Sequence, residues 1–231
     1  MANDKWDESK KVESEAIEGG HIIVDGLGTQ TMMDLLYDMK HSGFSLARYK
    51  FAAKLLSRVS SLSVLELGCN EGLGALMFEQ NTDMTGYLGM DLDKDAISWA
   101  ERNIGNEKIT FAQGDFLQKD IEGIYDGIVS LDVIEHIDPE KEDDFVSVMH
   151  SHMSDRGVAI IGTPSIYMTP YASEASRVAH INLYDQDRLY ELMNRFFENV
   201  FIFNMNDEIV HTGFDKMSCY IFGVGCNKKK R

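Results

Sequence analysis

The chain is poor in basic residues, in cysteine and in long apolar runs, and each shortage excludes a class of protein. Its 231 residues include 22 basic and 38 acidic ones, which gives a formal net charge of −16 at pH 7. Such an excess of negative charge disfavours binding to nucleic acid or to an anionic membrane surface. A small-molecule or cationic partner suits this chain better.

The scarcity of cysteine and of apolar runs bears on the compartment. The three cysteines, Cys69, Cys219 and Cys226, form no pair with metal-binding or redox spacing, and an odd count favours a reducing compartment. Residues 1–20 are polar and lack the apolar core of a signal peptide. No run approaches the roughly 20 apolar residues of a membrane span. We therefore expect a cytoplasmic protein with no membrane segment.

Short apolar runs alternate with amphipathic helical patterns along most of the chain. This alternation is typical of an α/β fold, a mostly parallel sheet with helices on both faces. The predicted strands are Ser63–Leu67, Gly86–Met90, Ile109–Gln113, Gly127–Leu131 and Val158–Gly162, with an antiparallel pair near 200–204 and 218–224. Apolar residues at helical spacing over 31–59 predict two helices before the sheet, with Ser42-Gly43 between them.

Three motifs at the ends of predicted strands indicate a nucleotide-type ligand. Gly68, Gly72 and Gly74 follow the first strand. Asp91 ends the second, and Asp115 lies just beyond the third. Glycine lets the backbone approach a ligand closely, while carboxylates at strand ends accept hydrogen bonds from ribose hydroxyls or an adenine amino group. The chain is therefore expected to bind an adenosine-containing cofactor.

The first of these turns disfavours two common nucleotide sites. A dinucleotide fold requires Gly-x-Gly-x-x-Gly, whereas Gly68 is followed by a crowded loop containing the acidic Glu71, which would repel a phosphate. The Gly-Lys-Ser/Thr ending of a P-loop is missing as well. Acidic surroundings suit a sulfonium cation with an amino-acid tail instead.

The same segments resemble the motifs of class I S-adenosylmethionine-dependent methyltransferases. The run 66–72 is similar to that family's first motif, Asp91 to its second and the triplet 114–116 to its third. The similarity continues through the fourth and fifth strands and covers roughly residues 44–224. It implies a Rossmann-like, seven-stranded, mostly parallel sheet with an antiparallel last strand. It also implies S-adenosyl-L-methionine as the cofactor.

The resemblance assigns the cofactor contacts to strand ends and the turns after them. Asp91 would accept both ribose hydroxyls, Leu92 would pack on the adenine, and Asp115 would accept from the adenine amino group. The implied cofactor-binding residues are Arg48, Glu66, Gly68, Cys69, Asn70, Gly72, Asp91, Leu92, Asp115, Phe116 and Ser130. Arg48 resembles the arginine with which ubiquinone-pathway O-methyltransferases hold the cofactor carboxylate. The alternatives are a solvent-facing Arg48 and a Glu66 that caps a helix.

The segment SLDVIEHID, after the fourth strand, is the most informative one for acceptor chemistry. Ubiquinone-pathway O-methyltransferases and small-RNA 2′-O-methyltransferases have a similar acidic-x-x-Glu-His run here, which binds a divalent metal together with a later histidine. The resemblance implies, as ligands of magnesium, manganese or zinc, the residues Asp132, Glu135, His136 and His180. The alternative is a metal-free structural Glu-His pair. Asp132 departs from the pattern because it is one methylene shorter than the usual glutamate.

The resulting hypothesis is a methyltransferase that acts on an oxygen of a small molecule by in-line displacement. The sulfonium is already activated, so the remaining tasks are alignment and deprotonation of the acceptor, with His136 as candidate base. Amino or carboxylate acceptors, and a non-catalytic cofactor-binding partner subunit, are alternatives. A nicotinamide-dependent oxidoreductase is a further alternative, but Glu71 disfavours it because an acidic residue in the first turn would repel the cofactor phosphates.

The chain length suits one catalytic domain, because single α/β domains commonly reach about 200–250 residues. We expect an N-terminal arm and lid helix over residues 1–43 and a methyltransferase domain over 44–227. Residues 228–231 form a short basic tail, to which we assign no function.

Overall fold

The computed structural model describes Thr31, Leu35, residues 38–118 and residues 120–230. The arm and most of the predicted lid helix lie outside these residues. The helices are α1 (Met39–Leu56), α2 (Leu73–Asn81), α3 (Lys94–Asn103), α4 (Glu142–His152), α5 (Glu174–Ala179) and α6 (Gln186–Asn194). The strands are β1 (Leu62–Leu67), β2 (Met84–Asp91), β3 (Ile109–Gln113), β4 (Tyr125–Leu131), β5 (Met153–Pro164), β6 (Phe197–Asn206), β7 (Ile209–His211) and β8 (Tyr220–Lys228).

The strands form one eight-stranded sheet in the order β3-β2-β1-β4-β5-β8-β6-β7. Strands β1 to β5 pair in parallel, whereas β8 runs antiparallel to both of its neighbours, β5 and β6. The strand order reverses between β1 and β4. In open α/β sheets, ligands bind beyond the carboxyl ends of the strands at such a switch point. The predicted Rossmann-like fold class is confirmed.

Helices cover both faces of this sheet. Consecutive strand residues point to opposite faces, so Val64 of β1 belongs to one hydrophobic cluster and Leu65 to the other. The first cluster packs α1, α2 and α3 on the sheet, and the second packs α4 and α6. The continuous apolar character of the central strands follows from burial on both sides.

The predicted break at Ser42-Gly43 is wrong, because α1 runs through both residues without interruption. A glycine inside a helix costs about 1 kcal/mol relative to alanine. Burial of the C-terminal part of α1 at Ala52, Ala53 and Leu56 stabilises the helix against that local cost. Tertiary packing therefore overrides the local signal.

The predicted turn at Asn206 and Asp207 is present, but it leads first into the short strand β7. Asp207 adopts a left-handed backbone with φ of +49°, which lets the chain reverse direction. Strand β7 pairs with β6 and adds an eighth, antiparallel edge strand to the seven expected.

Two sequence expectations about the compartment can be compared with the structure. None of the helices in the described part of the chain has the length and apolar character needed to cross a membrane. The three cysteines are all free thiols. The cytoplasmic location itself stays a prediction.

Candidate active site

The turn between β1 and α2 is built from left-handed backbone. Gly68, Asn70 and Gly72 have φ angles of +79°, +47° and +74°. A Cβ atom at Gly68 would overlap Val133, and one at Gly72 would overlap Phe111. Both glycines are therefore required by backbone conformation and by close packing. The glycines in this part of the sequence therefore indicate the shape of the turn.

Asp91 holds this turn from the end of β2. One carboxylate oxygen accepts the N–H of Asn70 at 2.8 Å, and the other accepts the N–H of Asp93 at 2.9 Å. An ionised carboxylate can accept about four hydrogen bonds, so these two contacts are compatible with further ones from ribose hydroxyls. The neighbouring Leu92 is 42% exposed, as a ligand-facing side chain would be. Asp93 in turn caps α3.

Glu66 lies beneath the turn and is completely buried. Its carboxyl group accepts the hydroxyl of Tyr49 at 2.6 Å and the hydroxyl of Tyr87. Burial raises the pKa of Glu66 to about 7, and the two hydroxyl bonds partly oppose this rise. Because Tyr49 belongs to α1 and Tyr87 to β2, Glu66, which ends β1, joins three elements beneath this turn. It does not cap α2, which starts without a side-chain cap.

Three predicted cofactor residues have buried side chains that support the sheet. The thiol of Cys69 packs against β2 at Gly89. The hydroxyl of Ser130 donates to the carbonyl of the last residue of β1 at 2.8 Å. The ring of Phe116 packs on Phe145, with ring centroids 5.8 Å apart. A contact between these residues and a ligand would therefore be made by their backbones.

Asp115 caps the short turn after β3. Its oxygens accept the N–H of Leu117 at 2.9 Å and the side-chain amide of Gln118 at 2.6 Å. Its predicted bond to an adenine amino group would use another lone pair of the same carboxylate.

Arg48 forms an ion pair with Asp132, which follows β4. Its Nη1 atom donates to the two carboxylate oxygens at 3.0 and 2.8 Å, and its guanidinium carbon lies 4.0 Å from the centre of the Tyr220 ring. Burial, the largest single influence, lowers the pKa of Arg48, but Asp132, Tyr220 and Glu135 together outweigh it and the pKa stands above its ordinary value. Arg48 is only 8% exposed, so it is not a solvent-facing helix residue.

Glu135, His136 and His180 form a compact group, in which each residue offers a ligand atom within 4.8 Å of the others. Asp132 is not a member. Of the four predicted metal ligands, the structure brings together three and pairs the fourth with Arg48. Asp132 thus lies outside the compact group and is held by the guanidinium, although its charge still raises the pKa of both histidines. Metal binding by these residues stays a prediction.

Burial controls protonation in this group. Burial, and then the charge of Asp132, raises the pKa of Glu135 to about 8. Burial, and then His180, lowers the pKa of His136 to about 4. Burial also lowers the pKa of His180. Both imidazoles are therefore neutral at neutral pH.

Sequence reasoning missed four residues of the site: Tyr49, Tyr87, Thr163 and Tyr220. Thr163 could have been found, because it follows the fifth predicted strand at the same sheet edge as the other site residues. The tyrosines carry no comparable signal. Tyr87 and Tyr220 lie inside apolar runs, and Tyr49 lies at helical spacing among the apolar residues of α1, so each has the pattern of an ordinary core residue.

The family comparison agrees with this geometry. The family described as "Methyltransferase domain" matches residues 41–200, which is more than half of the chain. The chain therefore belongs to this methyltransferase family. The predicted class, the class I S-adenosylmethionine-dependent methyltransferases, is confirmed.

Among curated proteins, the chain is similar to ubiquinone biosynthesis O-methyltransferases. It is 30% identical to that of Rickettsia conorii over 112 residues, which cover 48% of this chain and 37% of the relative. It is 27% identical to that of Rickettsia akari over 125 residues, which cover 53% of this chain and 48% of the relative. The matched segment thus spans less than half the length of these relatives.

Solved structures show the same fold at low sequence identity. The methyltransferase domain of bacterial CtHen1-C has a TM-score of 0.66 at 17% identity, covering 80% of this chain and 99% of that one. The N-methyltransferase NodS from Bradyrhizobium japonicum, in complex with S-adenosylhomocysteine, has a TM-score of 0.59 at 15% identity, covering 83% and 88%. At these identities the likeness concerns the fold alone.

Proposed function

We propose that this enzyme transfers the methyl group of S-adenosylmethionine to an oxygen atom of a small molecule. The observation that carries the proposal is the arrangement at the β1/β4 switch point. On one side lies the turn held by Asp91, and on the other lie Asp132, Glu135 and His136. Relatives named as O-methyltransferases support oxygen as the methylated atom.

The residues on the first side fit the cofactor. Asp91 can accept ribose hydroxyls, Leu92 presents an exposed apolar surface beside it, and α2 has the glycine Gly72 as its N-cap and therefore no side-chain cap. Backbone N–H groups at a helix start favour a carboxylate such as that of the methionine part. When bound, the cofactor supplies a methyl group already activated by its positively charged sulfur.

The residues on the other side orient the acceptor and receive its proton. His136 is neutral above a pH of about 4, so it can accept a proton at neutral pH. A base with so low a pKa is weak. We therefore infer that the proton leaves as the oxygen–methyl bond forms, because the oxygen becomes far more acidic at that point. Asp132, 37% exposed at its side chain and fixed by Arg48, offers a charged hydrogen-bond acceptor next to this base.

Two measurements test the proposal. Calorimetry should show binding of S-adenosylhomocysteine and none of NADH. With labelled S-adenosylmethionine, a panel of hydroxyl, amino and carboxyl compounds should accept the label on a hydroxyl. Asp91→Ala serves as the binding-deficient control.

Each alternative has its own outcome. Labelling of amines or carboxylates alone would contradict O-methylation. Cofactor binding with no labelled product would favour a non-catalytic partner subunit, and NADH binding would favour an oxidoreductase.

A further inference from the structure

The ion pair and the ring contact of Arg48 lie on the acceptor side of the switch point, beside β4 and β5. Its Nη1 atom donates to both oxygens of Asp132, at 3.0 and 2.8 Å, and its guanidinium lies over the ring of Tyr220. Asp132 follows β4, and Tyr220 begins β8, which pairs with β5. The next residue of α1, Tyr49, is the one that reaches β1, where it donates to Glu66 at 2.6 Å.

The guanidinium of Arg48 has no free edge with which to grip a second carboxylate. An arginine holds a carboxylate most firmly through two parallel N–H groups on neighbouring nitrogens. Here Nη1 is engaged by Asp132, and Nε is buried without a partner among the described residues. Each two-nitrogen edge of the guanidinium includes one of these atoms. A bidentate grip on the cofactor carboxylate would therefore require Arg48 to leave its present position.

That position is fixed by close packing. Arg48 is almost fully buried, and its guanidinium carbon lies 4.0 Å from the centre of the Tyr220 ring. A Cβ atom at Gly162 would lie 2.6 Å from the hydroxyl oxygen of Tyr220, so the ring occupies space that only a glycine in β5 leaves open. The fold thus provides a dedicated place for the arginine beside Asp132.

The backbone of Asp132 is held in an unusual conformation as well. Its φ is +59°, a left-handed value that residues other than glycine seldom adopt. Its N–H donates to the carbonyl of Gly162 at 2.9 Å, which ties it to the end of β5. Residues in such conformations persist where their surroundings fix them, and they cluster at ligand sites. Backbone and guanidinium together therefore fix the direction of one carboxylate.

This carboxylate keeps capacity for a ligand. The side chain of Asp132 is 37% exposed. An ionised carboxylate can accept about four hydrogen bonds, and Arg48 supplies two contacts. The charge of Asp132 acts on His136 and His180, which places it beside the candidate base. An O–H or N–H group of a methyl acceptor can therefore donate to Asp132 while the acceptor faces His136.

We propose that Arg48 is a positioning residue of the acceptor site. It fixes the carboxylate of Asp132, which accepts a hydrogen bond from the methyl acceptor, and the carboxylate of S-adenosylmethionine binds without it. The resemblance to ubiquinone-pathway O-methyltransferases implies the other role, so the chain departs from that pattern here. The inference rests on the proposed function in one respect, the presence of a methyl acceptor beside Asp132.

Two ligands that differ in their amino-acid part test the role of Arg48 in cofactor binding. S-adenosylhomocysteine carries the carboxylate, whereas 5′-methylthioadenosine lacks it. In calorimetry, Arg48→Met should change the Kd of each ligand by less than about threefold. An arginine that held the carboxylate would contribute about tenfold or more to S-adenosylhomocysteine alone. Lys50→Met is the matched control, because it removes another positive charge of α1 at an exposed position.

Acceptor kinetics test whether Arg48 acts through Asp132. With the compound that labelled S-adenosylmethionine identifies as acceptor, Asp132→Asn and Arg48→Met should each lower kcat/KM for that compound by about tenfold or more. The KM for S-adenosylmethionine should stay within about threefold. The double variant Arg48→Met/Asp132→Asn should be no worse than either single variant, since independent effects would multiply to about 100-fold. It also removes the buried charge that Asp132→Asn leaves unpaired.

Three results would overturn the inference. These are a selective loss of S-adenosylhomocysteine binding in Arg48→Met, multiplied losses in the double variant, or unchanged acceptor kinetics in Asp132→Asn. S-adenosylhomocysteine binding on the same samples shows that each variant is folded. A panel on which no compound accepts the label would contradict the proposed function instead. The comparison of the two ligands would then still decide whether Arg48 holds the cofactor carboxylate.

Discussion

The two sides of the switch point differ in how completely their buried polar groups are paired. Beside β1 and β2, both oxygens of Asp91 accept backbone N–H groups, and Glu66 accepts two tyrosine hydroxyls. Beside β4 and β5, Nε of Arg48, Oε1 of Glu135 and the hydroxyl of Tyr220 are buried without a partner among the described residues. The comparison teaches that the buried polar groups beside β1 and β2 are paired within the chain, whereas those beside β4 and β5 keep hydrogen-bonding capacity for the acceptor that we propose.

The largest expected effect comes from removing Asp91, which belongs to the side whose polar groups are paired. Asp91→Ala should weaken binding of S-adenosylhomocysteine by about 2–4 kcal/mol, because hydrogen bonds to charged groups contribute about 1.5–3 kcal/mol each. Calorimetry measures this loss. The control is Asp93→Ala, which removes the cap of α3 but keeps the Asp91 carboxylate, and should cost about 1 kcal/mol of stability with little change in affinity. Unchanged affinity in Asp91→Ala would remove Asp91 from the site.

A second test uses pH. The folded pKa of Glu66 is about 7, against an ordinary value of 4.5, so the folded state holds this proton more tightly than the unfolded state. The resulting stability is complete below a pH of about 4.5 and is lost as the pH rises through about 7. Relative to Glu66→Gln, the wild type should lose up to about 3 kcal/mol of unfolding free energy over this window.

Urea unfolding of both proteins at several pH values measures this difference. The contribution of Glu135 is present in both proteins and cancels. A difference that does not vary with pH would show that Glu66 keeps an ordinary pKa in the fold.

The third test removes a hydrogen-bond donor from the buried carboxyl group of Glu135, beside β4 and β5. Thr163→Val removes the hydroxyl that donates to Oε2 of the buried Glu135 and should lower the free energy of unfolding by about 1–3 kcal/mol. Thr110→Val is the matched control, since its exposed hydroxyl donates to the carbonyl of Tyr87, and should cost less than about 0.5 kcal/mol. Equal costs in urea unfolding would show that the Glu135 carboxyl is not dependent on this donor.

The smallest expected effect concerns the stability cost of removing a hydroxyl from each of two buried tyrosines. Tyr87 is 3% exposed and donates its hydroxyl to Glu66, whereas Tyr220 is 2% exposed and its hydroxyl has no partner among the described residues. Tyr87→Phe should cost about 1–2 kcal/mol, and Tyr220→Phe should be neutral or slightly stabilising in the ligand-free protein. A destabilised Tyr220→Phe would show that its hydroxyl is paired after all, and the two sides would then be alike.

The parts of the fold that depend on local patterns were predictable. Strand β1 was predicted over Ser63–Leu67 and spans Leu62–Leu67, because apolar runs, helical periodicity and glycine turns are encoded in neighbouring residues. The uninterrupted α1 was not predictable from Ser42 and Gly43. The packing that stabilises it involves the helix α2 and the strands β4 and β5, all of which come later in the chain.

The candidate site shows the same division. Gly68, Gly72 and Asp91 were found because the shape of the turn and its strand-end acid depend on backbone geometry. The partner of Asp132 could not be found in this way. Arg48 lies 84 residues earlier in the chain. Whether Asp132 contacts a guanidinium or two imidazoles depends on how the side chains are placed in the assembled fold.

The consecutive residues Arg48 and Tyr49 have a mechanical consequence. Successive helix residues point about 100° apart, and these two reach from one helix to opposite sides of the switch point, Arg48 to Asp132 and Tyr49 to Glu66. A displacement of α1 therefore acts on both contacts together. We therefore expect a ligand that fixes α1 through one contact to stabilise the other, and thermodynamic linkage requires that any such influence be equal in both directions.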